Sequence, residues 1–285
     1  MKISRQFVRE VVGEALGTFL LVLFGCGSVA VTVLFNANQG LMSVALAWGI
    51  GVTLAIYLTR HLSCAHLNPA VSIGMVVARR MSARKLPAYL TAQFLGAIIA
   101  GVLLYLLFSG SIAAYEQTHG IVRGTPASVT TAKMFGEYYP NPGSAAVVSL
   151  PLAMGAEGLG TFLLVLLVFA LTEGCNVGRP DNALAPVFIG LSVTSIICLV
   201  APLTQAGLNP ARDFGPRLVA WMAGWGAAAF PDKAGGFFLV YILAPCLGGI
   251  VAATTFAHVL EPLMIHASQG CGCGAQSQST KQEQS

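Results

Sequence analysis

Charged residues are scarce in this chain. Asp, Glu, Lys and Arg together make up 9% of its 285 residues, whereas a soluble domain carries about 25%. A surface with so little charge cannot face water over most of its area, which disfavours a soluble enzyme or binding domain. The net charge of +4 gives no indication of a nucleic-acid partner, and none is expected.

Cysteine is present without the spacing of a metal site or a disulfide framework. Four of the seven cysteines lie in or beside apolar runs, where a free thiol behaves as a small hydrophobe. Cys271 and Cys273 lie in a Gly-rich tail, for which we expect plain flexibility, with metal ligation or lipid attachment as alternatives. We expect no metal site and no cofactor.

Long apolar runs are what the chain does contain. Spanning a bilayer takes roughly 20 mostly apolar residues. Six segments reach that length, near 11–35, 41–58, 87–108, 148–172, 184–203 and 236–259. The first is too long for a signal peptide. The sequence therefore predicts an all-α membrane protein with six transmembrane helices.

The basic residues indicate an orientation. Lys2, Arg5 and Arg9 precede the first span, and a second basic cluster at 79–85 precedes the third. Because cytoplasmic loops carry the Lys and Arg excess, we expect both termini in the cytoplasm. The expected location is the plasma (inner) membrane, with the protein crossing it several times.

The chain repeats itself. The segment Glu14–Phe24 returns as Glu157–Leu167, and Ala65–Val71 returns as Ala206–Arg212, at offsets of 143 and 141 residues. Each copy holds three spans, so the second copy enters the membrane from the opposite side, as an inverted repeat. We therefore expect a first repeat (1–108), a linker loop outside the cytoplasm (109–147), a second repeat (148–260) and a flexible cytoplasmic tail (261–285).

Each repeat also contains a segment too short to cross the membrane, Leu62–Ala78 and Thr204–Met222. Asn is a strong N-cap and Pro is well tolerated as the first helical residue. The two Asn-Pro-Ala motifs thus predict two re-entrant half-helices that start near the midplane, and they comprise Asn68, Pro69, Ala70, Asn209, Pro210 and Ala211.

Such a geometry is suited to a pore for neutral solutes. Both half-helix N-termini would carry positive charge at the bilayer centre, and the amides of Asn68 and Asn209 would donate into the lumen. The segments before them should be extended and present carbonyl acceptors, and these belong to Cys64, Ala65, His66, Gln205 and Gly207. Cations and protons would meet a positive barrier.

Several ionisable residues lie within the membrane segments of the repeats. A lone guanidinium at membrane depth indicates function, which assigns Arg212 to the pore. The alternative, a structural arginine paired with Asp213, suits Arg217 better. We expect Glu14 and Glu157 to accept hydrogen bonds from backbone N–H groups, because buried polar groups need partners. A proton or substrate role is the alternative.

The paired Leu-Asn-Pro-Ala motifs on a duplicated six-span chain resemble the aquaporin or major intrinsic protein family. Residues 212–217, with Asp213 directly after the arginine, resemble its bacterial glycerol facilitators, as do Glu116–His119, Ile121–Gly124 and Ala220–Gly226. The resemblance spans about residues 10–260. It implies the aquaporin fold and a homotetramer with one pore per subunit.

The resemblance also implies a filter outside the paired motifs, formed by Trp48, Ile197, Ala206 and Arg212. Trp48 as a lipid-interface aromatic is the alternative. Glycerol facilitators carry Gly and an aromatic where this chain has Ile197 and Ala206. The set here resembles the filter of plant nodulin-26-like channels, as does Tyr241-Ile242 in the last span.

The sequence thus predicts a passive channel for glycerol and other small uncharged solutes, with some water, and no enzymatic activity. Within the class, a channel mainly for urea, neutral metalloid hydroxides or water stays open. A secondary transporter also uses inverted repeats, but this chain lacks an intramembrane acid placed at the midplane to couple an ion.

Overall fold

The computed structural model of the chain describes residues 4–38, 40–230 and 236–270, with side chains to residue 266 in the last stretch. These residues are helical or irregular and contain no strand. Cys271 and Cys273 lie outside the described residues. The helices are α1 (Arg5–Phe35), α2 (Leu41–Ser63), α3 (Pro69–Val77), α4 (Leu86–Thr118), α5 (Val129–Ala132), α6 (Leu150–Thr172), α7 (Ala185–Thr204) and α8 (Pro210–Ala220).

The last helix, α9, is interrupted by two π-helical turns. It joins the segments Gly236–Phe238, Ala244–Thr255 and Glu261–Gly270 through the turns Leu239–Leu243 and Phe256–Leu260. Six helices are long and apolar enough to cross a membrane, and these are α1, α2, α4 with the 3₁₀ turn before it, α6, α7 and α9. The described residues therefore form the predicted six-span membrane protein.

Two segments differ from the boundaries that the sequence suggested. Residues 109–118, assigned to the linker, continue α4, because Ile112 and Glu116 on one side of that extension are buried. Residues 261–270, assigned to the tail, continue α9. The linker proper therefore starts after Thr118.

The packing of the helices follows the inverted repeat. In the first half α1 packs against α2 and α4, and in the second half α6 packs against α7 and α9. The half-helices α3 and α8 cross over, because α3 packs chiefly on α9 and α8 chiefly on α4. Each half-helix therefore packs mainly against spans of the other repeat, so neither repeat could bury its half-helix alone.

The pseudo-two-fold axis passes through the crossing of α2 and α7. Thr53 Oγ1 donates to the carbonyl of Pro186, and Thr194 Oγ1 donates to the carbonyl of Ala45, both at 3.2 Å. Thr194 lies 141 residues after Thr53, and Pro186 lies 141 residues after Ala45, so the two bonds join equivalent positions of the repeats. The symmetry inferred from the sequence is therefore visible in reciprocal hydrogen bonds.

The outward faces of the spans are apolar. Ile50, Ile99, Leu106 and Leu107 each expose more than half of their surface. Large exposed apolar patches mark membrane or protein contacts. With six spans of this kind, the described surface is suited to lipid.

Arg80 ties three elements together at one end of the bundle. Its guanidinium binds the carboxylates of Glu173 after α6 and Glu261 on α9, and lies 5.0 Å from the ring centroid of Phe169. Burial alone would raise the pKa of Glu173, but the Arg80 guanidinium holds it below its ordinary value. The donor atoms of Glu173, Cys175 and Glu261 lie within 4.8 Å of one another, and Arg80 supplies the positive charge of this group.

The crossing of α2 and α7 yields a test of close packing. A Cβ on Gly190 would lie 2.4 Å from the carbonyl oxygen of Gly49, which is backbone and cannot move aside. We expect Gly190→Ala to cost about 1–3 kcal/mol of unfolding free energy, the usual cost of overpacking. The matched control is Gly155→Ala, because no atom lies within 4 Å of a Cβ there.

Thermal unfolding of the two purified variants in detergent checks this expectation. Equal melting temperatures for Gly190→Ala and Gly155→Ala would show that the helices separate at the crossing without cost.

Candidate functional site

A buried carboxylate holds the chain in front of the first half-helix. Glu14 on α1 is fully buried, and its oxygens accept the backbone N–H groups of His66 at 2.9 Å and Leu67 at 2.7 Å. Gln93 on α4 donates to the same carboxylate and to Ser72 Oγ, at 2.7 and 2.9 Å. These are the backbone contacts expected from the sequence, and they satisfy donors that water cannot reach.

The second half repeats the arrangement around Glu157 on α6. Its oxygens accept the N–H groups of Gly207 at 2.8 Å and Leu208 at 2.7 Å, and the hydroxyl of Thr204 at 2.6 Å. Tyr241 on α9 donates to the carbonyl of Thr204 at 3.0 Å. Tyr241, which the sequence marked only as a resemblance, therefore anchors the start of this segment.

We call residues 64–67 and 205–208 the approach segments. The prediction that they are extended was wrong, because six of their eight residues have left-handed φ. Residues with left-handed φ are uncommon outside glycine and cost energy, so neighbouring structure must hold them. The left-handed residues are Cys64, Ala65, Leu67, Gln205, Ala206 and Leu208, with φ between 53° and 69°.

The two asparagines cap the half-helices. Asn68 Oδ1 accepts the N–H of Ala70 at 2.8 Å, and Asn209 Oδ1 accepts those of Ala211 and Arg212 at 3.0 and 3.2 Å. Pro69 and Pro210 are the first residues of α3 and α8 and are buried. The prolines and alanines of the motifs thus form the helix starts and do not line the cavity described below.

The asparagine amides also bridge the two halves. Asn68 Nδ2 donates to the carbonyl of Leu208 at 2.9 Å, and Asn209 Nδ2 donates to that of Leu67 at 2.8 Å. The expectation of entirely free amide groups was therefore wrong. Each amide carries two N–H donors, so one fixes the opposite approach segment and one is left for the lumen.

A cavity of about 460 Å³ runs along these groups. One end, which we call the basic mouth, is lined by Arg60, Arg80, Thr172 and Asn182. The cavity then passes both asparagines, and it also reaches the four residues of the predicted filter.

The wall of the cavity has two kinds of surface. The approach segments line it with Cys64, Ala65 and His66 of the first and Gly207 of the second. The apolar lining comes from side chains of α1, α2, α3, α6 and α7, which are Leu21, Val52, Ile56, Val71, Leu164, Val168, Ile189 and Val193. A passage lined in this way can contact the carbon skeleton and the hydroxyls of one solute at once.

Gln205 differs from its predicted role. It does not line the cavity, and its side-chain oxygen accepts the backbone N–H of Tyr138 at 2.9 Å. The physical reason is its position at the C-cap of α7, one residue before the filter, where the linker covers it. Gln205 therefore holds the linker and contributes no wall group.

The structure brings the four predicted filter residues to one place. The guanidinium carbon of Arg212 lies 4.0 Å from the ring centroid of Trp48, and Arg212 Nη2 donates to the carbonyl of Ala206 at 2.8 Å. Ile197 and Ala206 are almost fully buried and line the same cavity. Trp48 is buried as well, which rules out the lipid-interface alternative for it.

Glu137, which contacts the filter arginine, was not predicted from the sequence. Arg212 Nη1 forms a buried ion pair with Oε1 of Glu137. Glu137 belongs to the linker, outside the repeat, so neither the motif nor the symmetry marked it. The available signal was its place as a lone acid in the otherwise neutral run 134–142.

The second arginine of α8 anchors the linker. Arg217 pairs with Asp213 at 2.7 Å, as its spacing suggested, and both are fully buried.

Tyr138 of the linker lies beside this pair. Burial raises the pKa of Tyr138 to about 12, so its hydroxyl stays protonated and donates to the carbonyl of Ala228. Rings surround the guanidinium of Arg217 at 5.0–6.0 Å, and they belong to Tyr138, Phe230, Phe237 and Tyr241.

Comparisons with known proteins agree with this geometry. The chain is 43% identical to the glycerol uptake facilitator protein of Pseudomonas aeruginosa over 248 residues, which covers 86% of each chain. It is 41% identical to the glycerol uptake facilitator protein of Escherichia coli (strain K12), over 90% of this chain and 88% of that protein.

A solved structure is also similar. The aquaglyceroporin from Plasmodium falciparum superimposes with a TM-score of 0.78 at 28% identity, over 90% of this chain and 98% of that one. The profile of the family "Major intrinsic protein" matches residues 1–256. With the paired half-helices and the aquaporin fold described above, this match shows that the chain belongs to the major intrinsic protein family.

Proposed function

We propose that this protein is a passive membrane channel for glycerol and other small uncharged solutes, with some water. The observation that carries the proposal is the cavity, which is lined both by the approach segments with the two asparagines and by apolar side chains. Relatives about 40% identical over most of the chain are glycerol uptake facilitators by name.

A polyol matches such a wall chemically. Its carbon skeleton packs against the apolar side chains while its hydroxyls bond to the carbonyls, the asparagine amides and Arg212. The free-energy cost of moving a neutral solute out of water is small when these hydrogen bonds replace its hydrogen bonds to water. Selectivity then depends on the diameter of the passage and on its lining groups, so no chemical step takes part.

The same wall excludes ions. The N-termini of α3 and α8 each carry about half a positive charge, and Asn68 and Asn209 stand at these ends. Among the described residues that line the cavity, none is Asp or Glu. This set supports a passive channel over an ion-coupled transporter, which needs a coupling site in the lumen.

A second solute class is favoured by the filter. Ala206 contributes a methyl group where glycerol facilitators carry an aromatic ring, and Ile197 adds bulk from α7. An opening of changed cross-section should pass compact solutes such as urea or a neutral metalloid hydroxide at least as readily as linear glycerol. Urea is therefore the second candidate permeant.

We also propose that the protein sits in the plasma (inner) membrane with both termini in the cytoplasm, as a homotetramer with one pore per subunit. The support for the orientation is the basic residues at the basic mouth and before α1 and α4. The support for the tetramer is membership of the family, together with the apolar outer faces of the spans.

The central prediction concerns which solutes cross the membrane. Proteoliposomes that contain the protein should swell in glycerol and in urea but not in sucrose, and an imposed Na⁺ or proton gradient should not change the rates. The measurement is stopped-flow light scattering, with empty liposomes as the control. Glycerol accumulation against its gradient would identify a transporter, and glycerol flux no faster than that of empty liposomes would end the proposal.

A second prediction tests whether Ile197 and Ala206 share one constriction. Ala206→Phe should overfill it and slow every solute, whereas adding Ile197→Gly should restore glycerol and still restrain bulkier solutes. Residues in contact typically show coupling energies of about 0.5–3 kcal/mol. Fluxes of both singles and the double, normalised to inserted protein, give this coupling, and additive effects would place the two side chains apart.

A third prediction concerns Cys64. Its side chain is exposed and lines the cavity at the left-handed C-cap of α2. A mercurial that reaches the basic mouth should slow glycerol flux severalfold, because the added group narrows the passage. Cys64→Ser should abolish the effect, while the control Cys175→Ser should keep it. Inhibition that survives Cys64→Ser would assign the reactive thiol to another position.

A further inference from the structure

The filter arginine has a carboxylate partner that comes from outside the repeat. Glu137 lies in the linker between the two halves and is 4% exposed, and Arg212 is 3% exposed. The two side chains form an ion pair through Arg212 Nη1 and Glu137 Oε1. Two opposite charges therefore lie at one end of the passage, where the sequence indicated a single positive charge.

The backbone of Glu137 is fixed by the second ion pair of α8. Its N–H donates to Asp213 Oδ1 at 2.7 Å, and its carbonyl accepts from Arg217 Nη2. The preceding residue is Gly136, where a Cβ would lie 2.7 Å from the guanidinium carbon of Arg217. The backbone N–H and carbonyl of Glu137 thus both bind side chains of α8. The backbone is therefore fixed, and the Glu137 carboxylate is held next to Arg212.

The guanidinium of Arg212 is held from three directions. Nη1 pairs with the Glu137 carboxylate, and Nη2 donates to the carbonyl of Ala206. The ring centroid of Trp48 lies 4.0 Å from the guanidinium carbon. These contacts fix the orientation of the guanidinium where Arg212 lines the cavity.

Charge at this point acts strongly because little water surrounds it. The interaction of two charges grows as the effective dielectric constant falls, and an uncompensated buried charge is unfavourable. An adjacent pair of opposite charges largely cancels its own field at a distance. A solute in the passage therefore meets a nearly neutral filter, provided that both partners are present.

We propose that Glu137 is a specificity-determining residue of this channel, because it serves as the counterion that makes the Arg212 filter neutral as a unit. This inference rests on the proposed function. Loss of Arg212 alone leaves a bare carboxylate that attracts cations, and loss of Glu137 alone leaves a bare guanidinium that attracts anions. Loss of both returns the filter to neutrality.

Three variants in proteoliposomes test the proposal: Arg212→Val, Glu137→Gln and the double variant. We expect Arg212→Val to raise K⁺ flux by about tenfold or more, since a lone carboxylate in a low-dielectric constriction attracts cations. Glu137→Gln, which preserves side-chain shape, should raise nitrate flux several times and stay closed to K⁺. The double variant should return both ion fluxes toward the wild-type level.

The matched control is Glu116→Gln. Glu116 is a buried acid of the α4 extension that pairs with Arg123 at 2.7 Å. Arg123 does not line the cavity, whereas Arg212, the partner of Glu137, does. Loss of Glu116 should leave both ion fluxes at the wild-type level. The amount of inserted protein and the melting temperature are measured for every variant, so that misfolding is separated from leakage.

Two results would overturn the role of Glu137. The first is a double variant that leaks K⁺ as much as Arg212→Val, which would mean that the arginine charge alone excludes cations. The second is a folded Glu137→Gln that gains no nitrate flux, and this arm stands even where Arg212→Val fails to insert. Glycerol flux of the wild type in the same vesicles is the separate test of the proposed function, and its absence would leave no channel for Glu137 to tune.

Discussion

The two buried glutamates are the constraint on which the rest of the structure depends. Non-helical backbone at membrane depth is tolerated only where its polar groups find partners or line a wet cavity. Glu14 and Glu157 each accept two consecutive N–H groups from an approach segment. The carboxylates thus satisfy two backbone donors in each segment, while the carbonyls of Leu67, Ala206 and Leu208 accept from Asn209, Arg212 and Asn68. Left-handed residues, which cost energy on their own, are stabilised by the same bonds.

The inverted repeat extends beyond the motifs to the tyrosines that support the approach segments, but the side chains next to these tyrosines differ between the halves. Tyr89 on α4 donates to the carbonyl of Ser63 at 3.1 Å, just as Tyr241 does to Thr204 in the second half. The residues behind these hydroxyls differ. In the first half the ring of His66 packs at 5.2 Å from Tyr89, whereas in the second half a glycine faces Tyr241. The backbone supports are therefore shared by both halves, and the side chains along the passage are not.

The parts of this site that depend on local chemistry or on symmetry could be predicted from the amino-acid sequence. Asn68 and Asn209 as helix caps follow from helix-start preferences, and the two glutamates follow from their equivalent places in the repeat. The donation of each asparagine amide to the opposite approach segment was missed, because it depends on how closely the half-helices meet. Glu137 was missed for the same reason, since only the folded path of the linker brings it to Arg212. What the sequence lacked was the distance between segments far apart in the chain.

The filter that we propose contains two sets of groups that can vary independently of the framework. Ile197 and Ala206 would set its cross-section, while Arg212 and Glu137 would set its charge. The framework bonds of Glu157 use backbone N–H groups of the approach segment, and these are the same whatever side chain occupies position 206. A substitution there changes the opening without removing a framework bond. Substituting Glu157, by contrast, would leave three buried donors without their acceptor, the N–H groups of Gly207 and Leu208 and the hydroxyl of Thr204. The segment that positions Ala206 would then be less firmly held, so a change in solute preference at position 206 requires an intact carboxylate framework.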